Sequence, residues 1–204
     1  MWLLLFCFPV LAHPVTFKNG IAISSVHRPK MSNVQVNYTF TRKLALAATY
    51  LRLDLDTTPV EAPVLHLNAL VKRWNHIGSQ ANLYAVVGGG FNTISLTSGN
   101  QNTFGYVGAQ ADYETTKIYT AISAFSLVFS EQQPFGLRYR FGIAPYVAKY
   151  NDLQIWVVGQ LDHISDMTEQ PRITPMLRFF YRTALWETGV SLNGVYWFQM
   201  MAHF

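Results

Sequence analysis

Along most of this chain every second residue is apolar. Arg138 and Arg140 alternate with Leu137, Tyr139, Phe141 and Ile143, and His66, Asn68 and Lys72 alternate with Leu65, Leu67, Ala69 and Val71. Asn33, Gln35, Asn37 and Thr39 alternate with Val34, Val36, Tyr38 and Phe40; Tyr106, Gly108, Gln110 and Asp112 alternate with Val107, Ala109, Ala111 and Tyr113. Successive side chains of a strand point to opposite faces, so a period of two means strands with one apolar face and one polar or small face. Twelve segments carry the pattern: 17–26, 32–41, 44–55, 63–74, 80–95, 103–114, 116–129, 135–149, 152–163, 172–181, 183–191 and 195–204. No long helical period interrupts them.

Composition decides what surrounds the apolar face. Half of the 204 residues are hydrophobic and only 13% are charged, about half the charged share of a soluble globular domain. No run of about 18 uncharged apolar residues exists to make a spanning helix. Tilted strands of about 9–11 residues also cross a bilayer, provided the sheet closes and leaves no backbone amide unpaired in hydrocarbon. The connections alternate between a tight set (41–43, 75–79, 114–115, 150–152, 182–183) and a longer, proline-rich set (27–30, 57–62, 96–102, 130–134, 165–171). Two kinds of turn suggest one barrel with two ends facing two compartments. An even strand count puts both termini at the tight-turn end. The reading is an all-β, closed, antiparallel up-and-down transmembrane barrel, with twelve strands expected and ten or eight as alternatives.

The two ends of the chain bear on location. Met1 to Ala12 is an apolar run ending in a small residue, in the manner of a short secretory leader without the usual basic start. The expected division is a leader at 1–12 and one barrel at 13–204. Cys7, the only cysteine, would leave with the leader, so a mature chain would have neither disulfides nor thiolate metal ligands. The last residues read Tyr-Trp-Phe-Gln-Met-Met-Ala-His-Phe, where a soluble domain would tend to be polar. Gly194, Tyr196, Phe198, Met200, Ala202 and Phe204 form a C-terminal strand with alternating hydrophobics and a terminal phenylalanine. In this the chain resembles Gram-negative outer-membrane β-barrel proteins. The resemblance implies that this strand is read by the barrel-assembly machinery, that outer-membrane lipids surround the protein, and that both termini are periplasmic.

In this register the inner face collects Arg138, Arg140, Arg178, Arg182, Lys72, His66, Gln110, Asp112, Asp162 and Glu187. Each Arg or Lys placed against lipid near mid-depth would cost about 2–4 kcal/mol, which assigns the charged face to the lumen. A cationic lumen would admit small anionic solutes. Buried ion pairs among Asp112, Asp162, Glu187 and the arginines, with Trp156, Trp197, Met176 and Phe180 also inward, would instead plug or narrow it. Trp74, Trp156, Trp186, Trp197 and the tyrosines suit interfacial belts wherever they face outward. Gly88-Gly89-Gly90 lacks the lysine-serine pair and helix of a phosphate loop, and reads as a bend or close approach in a curved strand. The net charge of +4 carries no cluster suited to nucleic acid, and no cofactor or metal site is expected.

Three functions remain open. The first is a structural or narrow-pore outer-membrane barrel with a cationic lumen. The second is a hydrolase at the outer rim: Asp54, Asp56, Asp162 and His163 faintly resemble the acidic pair and Asp–His pair of omptin proteases, and Ser130 and Ser165 lie near the same rim for a lipid-cleaving variant. The third is a soluble periplasmic ligand-binding barrel, in which the apolar face would line the interior.

Overall fold

The computed structural model describes residues 13–56, 59–94, 103–130, 132–165 and 167–204. The expected leader at 1–12, Cys7 included, lies outside the described residues. Twelve strands follow in order: β1 (Ile21–Arg28), β2 (Met31–Thr39), β3 (Leu44–Leu53), β4 (Val60–His76), β5 (Ser79–Phe91), β6 (Thr103–Thr115), β7 (Ile118–Val128), β8 (Phe135–Ile143), β9 (Gln154–Ile164), β10 (Arg172–Tyr181), β11 (Ala184–Val190) and β12 (Tyr196–His203). Each pairs antiparallel with the next, and β12 pairs with β1 to close the barrel. At the seam Ile23 lies opposite Ala202, and Phe204 and Ile21 exchange backbone hydrogen bonds of 2.8 and 3.0 Å. The strand count and closure are those the alternation predicts. No helix among the described residues is long and apolar enough to cross a membrane.

Strand ends depart from the expected bounds for local reasons. Residues 17–20 form a turn instead of starting β1: Gly20 N donates to Phe17 O, and Asn19 takes a positive φ of 64°. β8 stops at Ile143, so the β8–β9 connection spans 144–153 and is not the tight turn expected at 150–152. Pro145, without an N–H, cannot continue the ladder. We call the end holding residues 13–20 and the C-terminus the terminal end, and the opposite one the distal end.

The pleat sorts the residues as the period requires. Leu137, Tyr139, Phe141 and Ile143 of β8 are exposed, as are Tyr196, Phe198 and Met200 of β12. Among the described strands, the outward positions carry Asp, Glu, Lys or Arg only at the ends: Arg52 opposite Glu61 near the distal end, and Lys72 near the terminal end. The apolar face is therefore outside, the reverse of what a soluble barrel with an oily interior needs. Inside, the distal end is filled on one side by an apolar cluster that includes Leu53, Val60, Phe104, Leu127, Ile164 and Met167.

β4 contains a bulge between Leu70 and Lys72. A bulge inserts one residue and flips the face of everything after it. Lys72, expected in the lumen, consequently lies outside, opposite Leu83 and 5.9 Å from the Trp74 ring. Arg73 takes the inward position and donates from Nε to Asn82 Oδ1 at 2.6 Å. Gly88 is a true close approach. It lies opposite His66 on one side and Tyr106 on the other, and an added Cβ would sit inside van der Waals distance of Leu65 O and 2.6 Å from His66 Cα. Because backbone atoms cannot swing aside, Gly88→Ala should lower unfolding stability by about 1–3 kcal/mol. Urea unfolding of the detergent-folded protein checks this; an unchanged midpoint would show that the wall relaxes freely there.

Candidate functional site: a charged lumen

Inward positions of β8 to β12 and the end of β1 build one charged wall. It has two layers. In the middle of the barrel, Glu187 on β11 is fully buried and serves two arginines: Arg178 Nε donates to Oε1 at 2.6 Å and Arg140 Nη1 to Oε2 at 3.0 Å. Arg140 also donates to Gln160 Oε1 at 2.8 Å and Gln199 Oε1 at 3.2 Å. The Arg178 guanidinium lies 4.4 Å from the Tyr119 ring centroid. A buried charge needs such pairing, since each ion loses several kcal/mol of hydration.

The second layer lies nearer the distal end. Arg28 Nη1 donates to Asp162 Oδ2. Arg138 on β8 and Arg172 on β10 are the register neighbours of Asp162 on either side. One arginine thus pairs with the carboxylate, and two more flank it in the ladder. The Arg28, Arg138 and Arg140 guanidinium carbons lie 5.3, 4.7 and 5.5 Å from the centroid of the Trp197 ring.

The opposite wall carries a neutral hydrogen-bonded network. His66 meets Thr49 Oγ1 at 3.0 Å and Asn68 Oδ1 at 3.1 Å, with its ring 5.3 Å from Tyr106. Asn68 Nδ2 donates to Asn37 Oδ1, and Asn37 Nδ2 to Pro14 O. That last contact ties the wall to residues 13–16, which enter the terminal mouth. Val15 is buried beside Ala45, Leu70 and Tyr84. His13 stands 3.6 Å from Asp112 and 3.7 Å from Glu114, as ion pairs. Burial opposes the charged imidazole, but the two carboxylates outweigh it and hold His13 at about 9. Asp112 therefore balances His13, not an arginine.

Between the walls lies a cavity of about 250 Å³. Arg138, Arg140, Asp162, His66, Tyr106 and Gln199 line it, with small residues such as Gly108, Ser123 and Gly136 giving it room.

Of the residues expected in the lumen, Arg138, Arg140, Arg178, His66, Asp112, Asp162 and Glu187 are there, with Trp156, Trp197 and Met176 buried beside them. Trp156 and Trp197 are therefore not belt residues, whereas Trp186 is outside, stacked on Phe179 with centroids 5.7 Å apart. Arg182 is a correction. It occupies the β10–β11 turn with a φ of 54°, is exposed, and donates to Asn151 Oδ1. Arg28, Arg172, Arg73 and Glu114 were missed. Arg28 and Arg172 begin or end strands, where no alternation marks the face; Arg73 needed the bulge; Glu114 continues the β6 alternation into residues read as the 114–115 turn.

The rim residues do not assemble. Asp162 is buried in the lumen on Arg28, while His163, next in the same strand, faces outward and meets Thr168 Oγ1 at 3.1 Å. Adjacent strand residues cannot form a catalytic pair across the wall between them. Asp54 stands 3.6 Å from Arg52 and Asp56 3.1 Å from Lys30, both exposed. Ser165 Oγ accepts the Phe135 amide at 2.9 Å. Among the described residues no group of three or more His, Cys, Asp or Glu could hold a metal. At the C-terminal strand, Tyr196, Phe198, Met200 and Phe204 are on the outer face, whereas Gly194 lies in the β11–β12 turn with a φ of 77°.

No protein-family model and no curated protein sequence matches this chain. Among solved structures it is similar to a KdgM porin, at 11% identity over 91% of this chain and 98% of that one, with a TM-score of 0.48. A KdgM porin in complex with disordered oligogalacturonate is similar at the same identity and coverage, with a TM-score of 0.49. OmpT with loop L8 deleted, an outer membrane protein of Vibrio cholerae, has 10% identity over 91% of this chain and 96% of that one, with a TM-score of 0.29.

Proposed function

We propose that this chain is a bacterial outer-membrane barrel that forms a narrow pore preferring small anions. The observation that carries the reading is the charge balance of the inner wall within a closed, apolar-sided barrel. Among the described residues, Arg28, Arg138, Arg140, Arg172 and Arg178 share that wall with Asp162 and Glu187 alone as acids. Arg138 and Arg140 face the small cavity, with Asp162 the one carboxylate among its described lining residues, so an anion gains more there than a cation of equal size. Hydrocarbon is the surrounding that suits the outward leucines, tyrosines and phenylalanines, and closure supports it by leaving no strand edge. The apolar cluster at the distal end and residues 13–16 at the terminal end narrow the path, so the expected conductance is small and large solutes are excluded.

The outward face of Tyr196, Phe198, Met200, Ala202 and Phe204 is proposed as the part read by the barrel-assembly machinery. Placing the terminal end in the periplasm follows the usual arrangement of short periplasmic turns, which the β4–β5, β6–β7 and β10–β11 turns fit and the longer 144–153 connection does not.

Conductance across a planar bilayer tests the pore. Under a salt gradient the reversal potential should report anion preference, and Arg138→Ala should move it toward the non-selective value. Neither variant nor wild type passing current at any voltage would leave a structural barrel without a pore. Cation preference in the wild type would reject the role given to the arginines.

A further inference from the structure

The distal layer of the wall is over-supplied with donors. Arg28 donates from Nη1 to Asp162, while its Nε and Nη2 find no acceptor among the described residues. Arg138 Nε, Arg172 Nη1 and Trp197 Nε1 are buried in the same condition. Arg28 is 4% exposed and Trp197 2%. Among the described residues, the layer's formal charge is three guanidinium groups against one carboxylate. Buried donors and charges are expensive unless matched, and most native ones are matched. The middle layer is better matched: Glu187, Gln160 and Gln199 supply Arg140 with an acceptor for each of its three nitrogens, and Arg178 Nη1 is the one buried guanidinium nitrogen there without a partner among the described residues.

We infer that Arg28, Arg138 and Arg172, packed around Asp162 beside Trp197, form a binding site for a small doubly charged oxoanion of the phosphate or sulfate type. Two excess positive charges match a dianion. A tetrahedral oxoanion offers several acceptors at once, as unpaired guanidinium N–H groups require; chloride offers one compact charge. Arg138 and Asp162 both line the cavity, which connects the site to entering solute. Asp162 holds Arg28 in place but also repels the ligand, so it sets the affinity low enough for release. The site deepens the anion-pore reading and rests on it for its physiological meaning, but the binding itself needs no conduction.

The test is calorimetric titration of the detergent-folded protein with inorganic phosphate and with sulfate at low chloride. Saturable binding of one ion per chain is expected. Arg138→Gln should weaken it about tenfold, the effect of losing one charge-assisted contact. Arg172→Gln serves the same purpose should Arg138→Gln fail to regain the folded gel mobility. Asp162→Asn should bind about tenfold more tightly, since it removes the competing carboxylate at the price of one neutralised partner. Arg73→Gln, at the other end of the lumen, should bind as wild type does. Non-saturable uptake by wild type, undiminished affinity in a folded arginine variant, or weaker binding by folded Asp162→Asn would each overturn the site. Saturable binding by a barrel that passes no current would leave the site standing and remove the pore, whereas conduction without saturable binding would do the reverse.

Discussion

Glu187→Ala is expected to lower unfolding stability by about 3–5 kcal/mol, the largest effect of any single replacement in the lumen. Glu187 is 0% exposed and holds two guanidinium groups. Removing it leaves Arg178 without its hydrogen-bonded partner and Arg140 with only the two glutamine oxygens. Deleting one member of a buried network costs more than the network's net worth, because the surviving charges remain out of water. Glu187→Gln should cost less, since it keeps an acceptor and loses the charge. Joint replacement of Glu187 and Arg178 by apolar residues of similar volume should recover much of the loss. Urea unfolding in detergent, followed by heat-modifiable gel migration, measures all three. A loss below about 1 kcal/mol in Glu187→Ala would mean that water reaches both arginines and that the middle layer is not sealed.

Ile122→Arg tests the exterior. Ile122 lies in the middle of β7, exposed on the outer face between Tyr139 and Ala111. In a bilayer this puts it near mid-depth, where an arginine costs about 2–4 kcal/mol. The comparison is Val147→Arg, in the exposed β8–β9 connection, which should stay within about 0.5 kcal/mol of wild type. Folding equilibria in lipid vesicles measure both. Equal, negligible effects would mean that Ile122 faces water, and the hydrocarbon reading of the outer surface would go with it.

The two predictions differ in how far the sequence foretells them. That Ile122 faces outward follows from counting by twos from Ile118. That Glu187 faces inward follows in the same way, but its two partners do not. Arg178 lies nine positions away across one hairpin, and Arg140 lies 47 positions away, on the far side of β9 and β10. Arg28 and Asp162 are separated by 134 positions and meet because closure brings β1 round towards β9. The rim catalytic group failed for a related reason. Asp54, Asp56, Asp162 and His163 share a level in the chain's up-and-down course, but the pleat puts Asp162 and His163 on opposite sides of the wall.

From the residues alone came the twelve strands, their closure and the choice of outer face, because a two-residue pleat writes itself into local hydrophobicity and each strand repeats the evidence. Tertiary structure decided the rest. One bulge after Leu70 exchanged Lys72 for Arg73, and a segment at 13–16 entered the terminal mouth through contacts with β2 and β6. The stagger between strands chose which arginine each acid would serve. Stagger and insertion depend on the summed fit of the whole closed sheet, and no window of neighbouring residues records that sum.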